Sequence, residues 1–441
     1  MEDYPVSTNN GSGNLKPRKT SSMPRAIVAG SIGNALEWYD YGLYGYFAGS
    51  ISLQFFPSKD PLTALMLSFI IFGVGFVMRP LGGLIFGRYA DKVGRRNALA
   101  ITIIMMGVCT SAIGLIPSYA QIGVWAPILL TVARLLQGIS TGGEWGSAMS
   151  FLAEYSTPKN RGFIVSWSQF SIAVGLLMGS AFGTILASVM SPEAMNSWGW
   201  RIPFLTGILI AIFGLYVRKN VEETPKYLEM MENKQATDTP LADVFKNYRH
   251  EMFLGFGMVI GWTISYWLIM SYMPTYISKI LKWPLYAGMS YNTLLLIIFM
   301  VAVPFAGILS DKIGRKSVLL IGTISLVIFA YPAFNIMSTT KSPVMMLSVL
   351  SILAILEALI CGAATVAVTE IFPTHIRCSG IGIGYNITVA AFGGTAPFIA
   401  TWLIKATGSN TAPTYYLLFG LIITLVIVLF LYKETYKREL N

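Results

Sequence analysis

Apolar segments about as long as a bilayer is thick recur along the whole chain, with short polar connections between them. A helix needs about 20 predominantly apolar residues to cross the hydrocarbon core of a membrane. On that length the pattern predicts an all-α membrane protein with twelve transmembrane helices, although internal Gly and Pro blur their ends. The predicted spans are residues 26–50, 62–87, 97–116, 123–150, 163–189, 201–217, 252–275, 287–310, 316–337, 344–370, 380–404 and 413–432.

Two short charged connections in this pattern nearly repeat each other. The turn Gly87–Leu99 reads GRYADKVGRRNAL, and Gly307–Leu319, 220 residues later, reads GILSDKIGRKSVL. A Glu and an Arg seven residues apart form a second repeated pair, at Glu154/Arg161 and at Glu370/Arg377. Two matched pairs in the same order indicate two related halves of six helices each. In a membrane protein, related halves are typical of a transporter that rocks one half against the other.

The repeat and a charged stretch near the middle divide the chain into five parts. They are an N-terminal tail (1–25), an N-terminal six-helix half (26–217), a linker (218–251), a C-terminal six-helix half (252–432) and a C-terminal tail (433–441). The linker is too short for a domain, so we interpret it as a cytoplasmic connection, and both tails as cytoplasmic too.

Composition supports a membrane location and an orientation. Hydrophobic residues make up 54 % of the chain and charged residues only 12 %, and the mean hydropathy is +0.61. The net charge is +10, and 23 Lys and Arg residues fall on one side of the predicted bundle against six on the other. Because positive loops resist translocation, the rich side is predicted to be cytoplasmic, with both termini inside. The charge thus indicates a multi-pass plasma-membrane protein, of the bacterial inner membrane, and no nucleic-acid partner.

Motifs for metal or nucleotide chemistry do not occur in the sequence. Its cysteines and histidines have no metal-ligand spacing, and it has no phosphate-binding GxxxxGK[ST] loop and no Ser-His-Asp arrangement. We therefore predict no enzyme activity, no cofactor and no metal site. Energy for transport then has to come from a gradient. The expected partners are a small-molecule substrate, H⁺ as the coupling ion and the lipid bilayer, with no obligatory protein partner.

Two acids lie in the middle of the first predicted helix, where a charge costs about 2.5–3.5 kcal/mol on insertion scales. At 100° per residue, Glu37 and Asp40 share one face with Asn34, Tyr41 and Tyr44. This polar stripe is predicted to face a central cavity rather than lipid. Carboxyl groups this close are expected to titrate as a unit, which suits proton coupling, and Glu37 ranks ahead of Asp40. The other interpretation is that the pair only hydrogen-bonds to neighbouring helices.

A second polar stripe lies on the fourth predicted helix and consists of Arg134, Gln137, Thr141 and Glu144. A buried Arg needs a partner, and the candidates are Glu144 and the two acids of the first helix. The stripe indicates an ion-pair network that protonation breaks and substrate restores, or else a static pair inside the N-terminal half. Arg79, in the second helix, fits a structural partner as well as a substrate contact.

The C-terminal half offers fewer polar groups at mid-membrane depth. Glu357 is the lone acid deep in the tenth helix, and Tyr385 and Asn386 lie in the eleventh. Aromatic ring faces attract a cation stripped of water, so acids beside aromatics suit a quaternary ammonium. Packing or an interfacial belt is the simpler explanation for most aromatics, such as Trp262, Tyr266 and Tyr272 in the seventh helix. The exception is the Trp38/Tyr41/Tyr44 cluster.

The turns GRYADKVGRR and GILSDKIGRK resemble the signature loop of the major facilitator superfamily, which joins helices two and three and recurs between eight and nine. Further segments resemble its metabolite:proton symporter branch, whose members import proline and betaine, citrate, 2-oxoglutarate or shikimate. These segments are Gly33–Asp40, Met78–Gly83, Gln137–Glu144, Trp198–Pro203 and Phe372–Arg377. The resemblance extends over nearly the whole chain. Ile122–Leu130 and Phe372–Arg377 are most similar to the proline/glycine-betaine symporters.

The resemblance, together with the repeated charges, implies a latch that shuts the cytoplasmic side while the cavity opens outward. Its residues are Gly87, Asp91, Arg95, Arg96, Glu154 and Arg161 in the first half, and Gly307, Asp311, Arg315, Glu370 and Arg377 in the second. If the family arrangement holds, Asp91 faces Arg161 and Glu154. A positive turn that only sets topology would explain the basic residues but not the repeated Asp, Glu and Gly.

These observations predict a secondary active transporter that imports a small polar metabolite with protons by alternating access. The excess of acids deep in the helices favours a zwitterion of the proline or betaine type. Arg79 and Arg134 suit a carboxylate in either substrate class, so an organic acid of the citrate, 2-oxoglutarate or shikimate type is the alternative. A more remote one is a sensor that does not transport.

Overall fold

The computed structural model describes residues 23–93, 95–142, 145, 149–150, 152–153, 156–219, 247–373 and 376–438. Within these residues the regular structure is helical throughout and contains no strand. Apolar segments fold this way in a membrane because a helix satisfies its own backbone hydrogen bonds where water is absent. The predicted all-α class is confirmed.

Six helices of the described N-terminal half are numbered α1 to α6. They are α1 (Met23–Phe55), α2 (Pro61–Val77, continued by Arg79–Val93), α3 (Arg95–Leu115), α4 (Trp125–Thr141), α5 (Arg161–Val189) and α6 (Arg201–Leu205, continued by Gly207–Lys219). The start of α2 is well defined because the Asp60 side chain accepts a hydrogen bond from the Leu62 amide and Pro61 occupies the first helical position.

Six more helices, α7 to α12, follow in the described part of the C-terminal half. They are α7 (Arg249–Tyr266, with π-helical Trp267–Ser271, then Met273–Thr275 and π-helical Tyr276–Ile280), α8 (Leu285–Ile313), α9 (Arg315–Thr339), α10 (Pro343–Ile371), α11 (Arg377–Thr388, π-helical Val389–Gly393 and Ala396–Thr407) and α12 (Pro413–Val426, π-helical Ile427–Leu431). The described part of this half thus contains four π-helical turns, two in α7 and one each in α11 and α12. Such turns are frequent at functional sites.

Each of the twelve predicted spans coincides with one of these helices. Over the described residues, α2, α5 and α7 to α12 are long and apolar enough to cross a membrane. The other four spans coincide with α1, α3, α4 and α6, of which α1 and α4 carry the polar stripes and α6 is interrupted after Leu205. The predicted ends were less accurate, since α1 continues past residue 50 to Phe55 and α7 already begins at Arg249. Most of the predicted linker lies outside the described residues.

The two halves pack most extensively along α5 and α8. Near the start of α5 the two backbones almost touch, because a Cβ atom placed on Gly307 would lie 2.5 Å from the carbonyl oxygen of Gly162. The same atom would lie 2.9 Å from Cβ of Ser166. Glycine is therefore required on α8 for the halves to approach this closely, as in other membrane helix contacts.

Replacing Gly307 with Ala should push α5 and α8 apart and destabilise this closed arrangement by about 1–3 kcal/mol, the usual range for overpacking. We expect a lower thermal midpoint of the purified protein in detergent. Gly382→Ala is the matched control, because a Cβ atom there meets nothing within 4 Å. Equal midpoints for the two variants would contradict the close contact between the halves.

Candidate functional site

Two acid–arginine pairs are buried inside the N-terminal half. Glu37 of α1 accepts a hydrogen bond from Arg79 of α2 at 2.8 Å, and Asp40 of α1 pairs with Arg134 of α4 at 3.3 Å. All four side chains are almost completely buried, and both arginines are 0 % exposed. Removing one member of such a pair would leave an uncompensated charge in a low-dielectric interior. The structure thus gives each acid its own arginine.

Neutral donors complete the environment of the Asp40 carboxylate. Its Oδ1 atom accepts hydrogen bonds from the Thr110 hydroxyl at 2.5 Å and from Gln137 Nε2 at 2.8 Å. Gln137 in turn accepts a bond from Arg134 Nη1 at 2.9 Å. Because Gln137 links the acid to its arginine, movement of one of the three side chains disturbs the other two.

Aromatic rings of α1 and α2 cover both guanidinium groups. The Arg134 guanidinium carbon lies 4.7 Å from the ring centre of Tyr44 and 5.0 Å from that of Tyr41. The Arg79 guanidinium carbon lies 5.5 Å from the Tyr41 ring centre and 5.8 Å from that of Phe76. These cation–π contacts stabilise the arginines where water is excluded.

Side-chain hydrogen bonds from the polar stripe of α1 reach partners within its own half. Asn34 donates to the Ser168 carbonyl and the Ser171 hydroxyl of α5, and Tyr44 donates to the Ser68 carbonyl of α2. Arginines supplied by α2 and α4 compensate the two acids from inside the half.

The stripe also approaches the other half, because the Tyr41 ring centre lies 6.3 Å from that of Trp267. That the stripe faces a central cavity stays a prediction. That the two acids titrate as one unit stays a prediction too.

A small cavity of about 30 Å³ lies beside the two acids, within the N-terminal half. Its lining includes the polar residues Glu37, Asp40 and Thr110, together with Gly207 and Ala211 of α6. This volume is enough for about one water molecule, and the carboxylate and hydroxyl groups could hydrogen-bond to it.

Of the three partners considered for Arg134, Glu144 lies outside the described residues, and Asp40 is the acid that pairs with it. Thr141 of the same stripe exchanges a hydrogen bond with the Tyr41 hydroxyl at 3.1 Å. Arg79, ambiguous from sequence, pairs with Glu37.

Four charged side chains join the two halves at the end of the bundle where α5 and α9 begin. We call this end of the bundle the charged end. The four residues, which we call the cross-half network, are Arg161, Asp311, Arg315 and Glu370. Arg161 of α5 donates to Glu370 of α10 at 2.7 Å, and Arg315 donates to both Glu370 and Asp311 at 3.1 and 2.7 Å. Asp311 also accepts the amides of Gly162 and Phe163 at 2.8 and 2.9 Å, so it caps α5 from the opposite half.

Residues that follow α12 attach to this network. Thr435 donates to Glu370 at 2.5 Å, and the Arg438 carbonyl accepts a bond from Arg161 at 3.0 Å. The Glu434 carboxylate caps α9 by accepting the amides of Arg315 and Lys316, both at 3.0 Å. The C-terminal segment is therefore part of the closed charged end, which sequence analysis missed because a KET triplet in a tail has no local signal for such contacts.

The structure describes the side chains of only some of the predicted latch residues. The structure describes the backbone of helices that contain Gly87, Asp91, Arg95 and Arg96 but not those side chains, and Glu154 lies outside the described residues. Arg377 donates to the carbonyls of Thr369 and Phe372 at 3.0 and 3.2 Å, within its own half. The latch role of all these residues stays a prediction.

The opposite end of the bundle is also closed by contacts between the halves. Lys405 at the end of α11 pairs with Asp60 before α2 at 2.6 Å and donates to Thr63 at 2.5 Å. The Thr63 hydroxyl in turn donates to the Asp60 carboxylate at 2.6 Å, and the bonds that Asp60 accepts from Lys405 and Thr63 lower the pKa of its carboxyl group to about 2. The acid is thus ionised throughout the neutral range. Its contribution is present above about pH 4 and is lost as the pH falls towards 2.

Replacing Asp60 with Asn should favour opening of this end, because the ion pair between the halves is lost. The pair is about half exposed and screened by water, so we expect less than about a fivefold change. Modification of a single cysteine introduced at Ser271, which faces Gly45 of α1 across the halves, measures the opening. Lys405→Gln, which breaks the same pair and leaves the α2 cap intact, should open this end to a similar extent; an unchanged rate in both variants would contradict the pairing.

A second small cavity lies between the halves and is lined mainly by aromatic side chains. Its volume is about 10 Å³, room for one water molecule at most. The lining residues are Trp38, Gln169 and Ile172 from the first half and Trp262, Thr263, Tyr266, Trp267 and Tyr385 from the second. We call this the inter-half cavity. The charged end and the opposite end both carry ion pairs between the halves.

Stacked rings from different halves meet on two sides of the inter-half cavity. Trp38 stacks on Trp267 with ring centres 5.4 Å apart, and Trp145 stacks on Tyr385 with centres 3.6 Å apart. Next to the second stack, Asn386 of α11 donates to the Gly142 carbonyl at 2.9 Å. Contacts of both kinds have to break when the halves separate.

Several polar atoms near this cavity have no hydrogen-bond partner among the described residues. They are Gln169 Nε2, the Tyr266 hydroxyl, Trp145 Nε1 and Asn386 Oδ1. Buried polar groups are normally satisfied, so such atoms indicate a place where water or a ligand binds. Gln169, Trp145 and Trp267 were not predicted as site residues, because a polar or aromatic residue in a membrane helix gives no signal until its neighbours are known.

Comparison with known proteins identifies the family. The family model described as "Sugar (and other) transporter" matches the chain twice, over residues 26–244 and 229–441. A glycine betaine/proline/ectoine/pipecolic acid transporter, OusA, of Dickeya dadantii is 36 % identical over 95 % of this chain and 85 % of its own. A citrate-proton symporter of Klebsiella pneumoniae is 38 % identical over 93 % of this chain and 92 % of its own.

Solved structures support the same fold. The inward-open xylose transporter XylE of E. coli superimposes with a TM-score of 0.72 at 19 % identity, covering 95 % of this chain and 98 % of that one. A D-xylose-proton symporter gives 0.71 at 20 % identity over 95 % and 99 %. The twelve helices, the repeated halves and these matches agree, and the chain belongs to the sugar (and other) transporter family, with the major facilitator fold.

Proposed function

We propose that this protein is a proton-coupled symporter that imports a small zwitterion of the proline or glycine-betaine type by alternating access. The observation that carries the proposal is the aromatic inter-half cavity, whose Trp38 ring centre lies 6.0 Å from the guanidinium carbon of Arg79, a member of one of the two buried acid–arginine pairs. Ring faces suit a quaternary or secondary ammonium, and buried arginines suit a carboxylate. The named betaine and proline transporters among its relatives point to the same substrate class.

Alternating access requires that the two ends open in turn. Opening the charged end breaks the cross-half network and the stack of Trp145 on Tyr385. Opening the other end breaks the Asp60–Lys405 pair and the stack of Trp38 on Trp267. The present conformation, with both sets formed, corresponds to the occluded step between the two.

Asp40 is the residue that we assign to proton coupling. Its contact with Arg134 is 3.3 Å, whereas Glu37, ranked first from sequence, holds Arg79 at 2.8 Å. The longer pair is the easier one to separate, and the cavity that both acids line offers room for a water that can deliver H⁺. A proton taken up by the carboxylate neutralises it, and Arg134 then loses its ionic partner and can move towards the substrate carboxylate.

The distribution of Lys and Arg between the two ends of the bundle sets its proposed orientation in the membrane. The charged end, with its Lys- and Arg-rich connections, is assigned to the cytoplasm, with both tails on that side of a bacterial inner membrane. The chemistry of symport needs no cofactor, only the substrate, H⁺ and a bilayer. No protein partner is part of the proposal.

Uptake by proteoliposomes tests the proposed function. With an inward proton gradient, labelled betaine or proline should accumulate above the external concentration, and a protonophore should abolish the excess. The same vesicles without protein give the background. Accumulation of neither zwitterion, with the protein shown to be folded by size-exclusion chromatography, would refute the proposal.

An organic acid is the second candidate, favoured by the two buried arginines and by the citrate-proton symporter among the relatives. Labelled citrate and 2-oxoglutarate in the same vesicles distinguish the two. A multiply charged anion would need both arginines, which already pair with Glu37 and Asp40. We therefore expect neither acid to accumulate.

A further inference from the structure

The two cavities share no lining residue, although both touch α1. The cavity of about 30 Å³ inside the N-terminal half, which we call the N-half cavity, is lined on α1 by Leu36, Glu37, Tyr39 and Asp40. Its other lining residues all belong to α3, α4 and α6 of the same half. Trp38, which at about 100° per residue points away from most of these α1 residues, lines the inter-half cavity instead. Helix α1 therefore separates the two spaces.

Hydroxyl groups lie along the N-half cavity on α3 and α4. The Thr110 hydroxyl lies 2.5 Å from Oδ1 of Asp40 and 2.8 Å from the Met106 carbonyl oxygen. Further along α3, the Ser140 hydroxyl donates to the Thr102 carbonyl at 2.8 Å, and both residues line the cavity. Hydroxyl groups both donate and accept hydrogen bonds, so they can hold a water molecule and pass a proton to or from it.

These hydroxyl groups extend from Asp40 towards the charged end. Helix α2 begins at the other end of the bundle, so α3, which follows it, begins at the charged end. Thr102 is eight residues nearer to that start than Thr110, which corresponds to about 12 Å along the helix. Ser140 belongs to the last turn of α4, which ends on the same side. The cavity thus extends from the buried acid towards the side that we assign to the cytoplasm.

Thr110 fits both protonation states of Asp40. A hydroxyl group has one hydrogen atom, so it donates either to the ionised carboxylate or to the Met106 carbonyl. Once Asp40 is protonated, its O–H group can donate to the Thr110 oxygen while the Thr110 hydrogen turns to Met106. The same two contacts therefore hold Asp40 with and without its proton.

Of the acidic side chains that are buried in the described part of the chain, Glu37 and Asp40 are the two that line the N-half cavity, and none lines the inter-half cavity. Two others belong to the cross-half network. Glu357 of α10 lines neither cavity and accepts a bond from Cys361 Sγ at 3.4 Å. Of the two cavities, it is thus the N-half cavity that joins a buried acid to space for water.

We propose that H⁺ passes between Asp40 and the cytoplasm through the N-half cavity, while the substrate passes between the halves. On release, the O–H bond of the Asp40 carboxylic acid breaks and its proton goes to a water in this cavity. The hydronium ion so formed passes a proton on, past Thr102 and Ser140, to water at the charged end, and the carboxylate pairs with Arg134 again. The inference rests on the proposed function, in which Asp40 carries the coupling proton, and adds the route of that proton.

Separate routes have a consequence for the order of release. Substrate in the inter-half cavity displaces the water there, so a proton that used the same space would have to wait until the substrate had left. A proton that uses the N-half cavity can leave while the substrate is still bound. The state of the inter-half cavity should therefore not affect water access to Thr102.

Variants without the hydroxyl groups test the route by function. They are Thr102→Val, Ser140→Ala and the double variant, and Thr131→Val is the matched control because Thr131 of α4 lines neither cavity. In proteoliposomes, an internal pH dye measures H⁺ entry driven by betaine, and counterflow measures exchange of betaine. Exchange returns the protein with substrate and H⁺ both bound, so it requires no release of the proton.

We expect Thr102→Val and Ser140→Ala each to slow betaine-driven H⁺ entry several-fold, and the double variant to slow it further, with exchange close to the original rate. Thr131→Val should change neither rate. Original H⁺ entry in the folded double variant, or equal loss of H⁺ entry and exchange, overturns the inference.

Ag⁺ tests water access directly, because this small ion enters narrow wet spaces and blocks thiols against later labelling of the denatured protein. In a protein whose Cys109, Cys361 and Cys378 are replaced by Ala, one cysteine is introduced by Thr102→Cys or by Ile172→Cys. Ile172 lines the inter-half cavity. Ag⁺ is added to the cytoplasmic side of inside-out vesicles, with and without saturating betaine.

We expect betaine to protect the thiol in Ile172→Cys and to leave the reaction in Thr102→Cys unchanged. Equal protection at both positions would show that H⁺ and substrate share one route. Absence of reaction in Thr102→Cys would show that water does not reach the N-half cavity from the cytoplasm. Either result overturns the inference.

Two outcomes separate this inference from the proposed function. If the original protein couples betaine uptake to H⁺ entry and the hydroxyl variants behave as it does, the route is wrong and the proposed function stands. If the original protein moves betaine without H⁺ entry, or does not move it, the proposed function fails first. Variants are compared only after size-exclusion chromatography shows a folded protein. Should the hydroxyl variants not fold, the Ag⁺ reaction in Thr102→Cys decides.

Discussion

Replacing Asp40 with Asn will abolish accumulation of substrate against its gradient while leaving exchange of substrate across the membrane within several-fold of normal. Asn has the shape of the protonated acid and cannot release or take up H⁺. Its side chain can still bond to Thr110 and Gln137, which hold the native carboxylate at 2.5 and 2.8 Å. Counterflow in proteoliposomes measures exchange, and uptake driven by an imposed pH gradient measures accumulation.

Glu37→Gln is the matched comparison for this variant. Glu37 lies one turn from Asp40 on α1 and is equally buried, but its shorter contact with Arg79 marks it as the structural pair. We expect Glu37→Gln to keep some accumulation at a lower rate, and to keep a pH-dependent rate, whereas Asp40→Asn becomes independent of pH. Full accumulation in Asp40→Asn would show that Asp40 is not part of the proton pathway. Complete loss of accumulation in Glu37→Gln, but not in Asp40→Asn, would assign proton coupling to Glu37.

Replacing Glu370 with Gln will shift the protein towards the state that is open at the charged end. Glu370 accepts bonds from Arg161 of the other half, from Arg315 and from Thr435. Breaking a buried pair by removing one partner costs about 3–5 kcal/mol. This cost is smaller in the open state, because water there can solvate the Arg161 guanidinium group. We therefore expect at least about a tenfold change in the equilibrium between the closed and open charged end.

A single cysteine introduced at Ser166 reports this opening, since Ser166 packs against Gly307 only while the charged end is closed. Its reaction with a membrane-impermeant thiol reagent should accelerate in Glu370→Gln. Glu434→Gln is the matched control: it removes a charge a few ångströms away, but its amide partners lie in the same half. If both variants react at the original rate, the cross-half network does not hold the charged end shut.

The existence and order of the helices could be predicted because each depends only on local sequence. A long apolar segment in a membrane folds into a helix because a helix satisfies its own backbone hydrogen bonds. All twelve predicted spans therefore coincide with a helix. Their ends were less predictable where polar residues continue a helix, as in the last turn of α1, which includes Gln54. The π-helical turns of α7 and α11 were not predicted, because no residue pattern in those segments distinguishes them from an α-helix.

The candidate site was predictable in residue type but not in pairing. A buried acid at position 40 and a buried arginine at position 134 were both evident from their depth in an apolar span. Which acid meets which arginine depends on how the helices rotate about their axes, and this is a property of the packed bundle. The same holds for Arg161 and Glu370, which are 209 residues apart and belong to different halves. Contacts of this kind become visible only in three dimensions.

The small volume of the inter-half cavity has a consequence for measured affinities. Only molecules with one end open can bind substrate, so the apparent dissociation constant equals the intrinsic constant divided by the open fraction. A variant that opens one end more often will bind more tightly in an equilibrium assay, even though no contact with substrate has changed. Weakening the Asp60–Lys405 pair should therefore improve apparent affinity from one side of the membrane without adding a hydrogen bond. Conversely, a compound that fills the space beside Trp38 and Trp267 in an open form would prevent the rings from stacking again and hold the protein open.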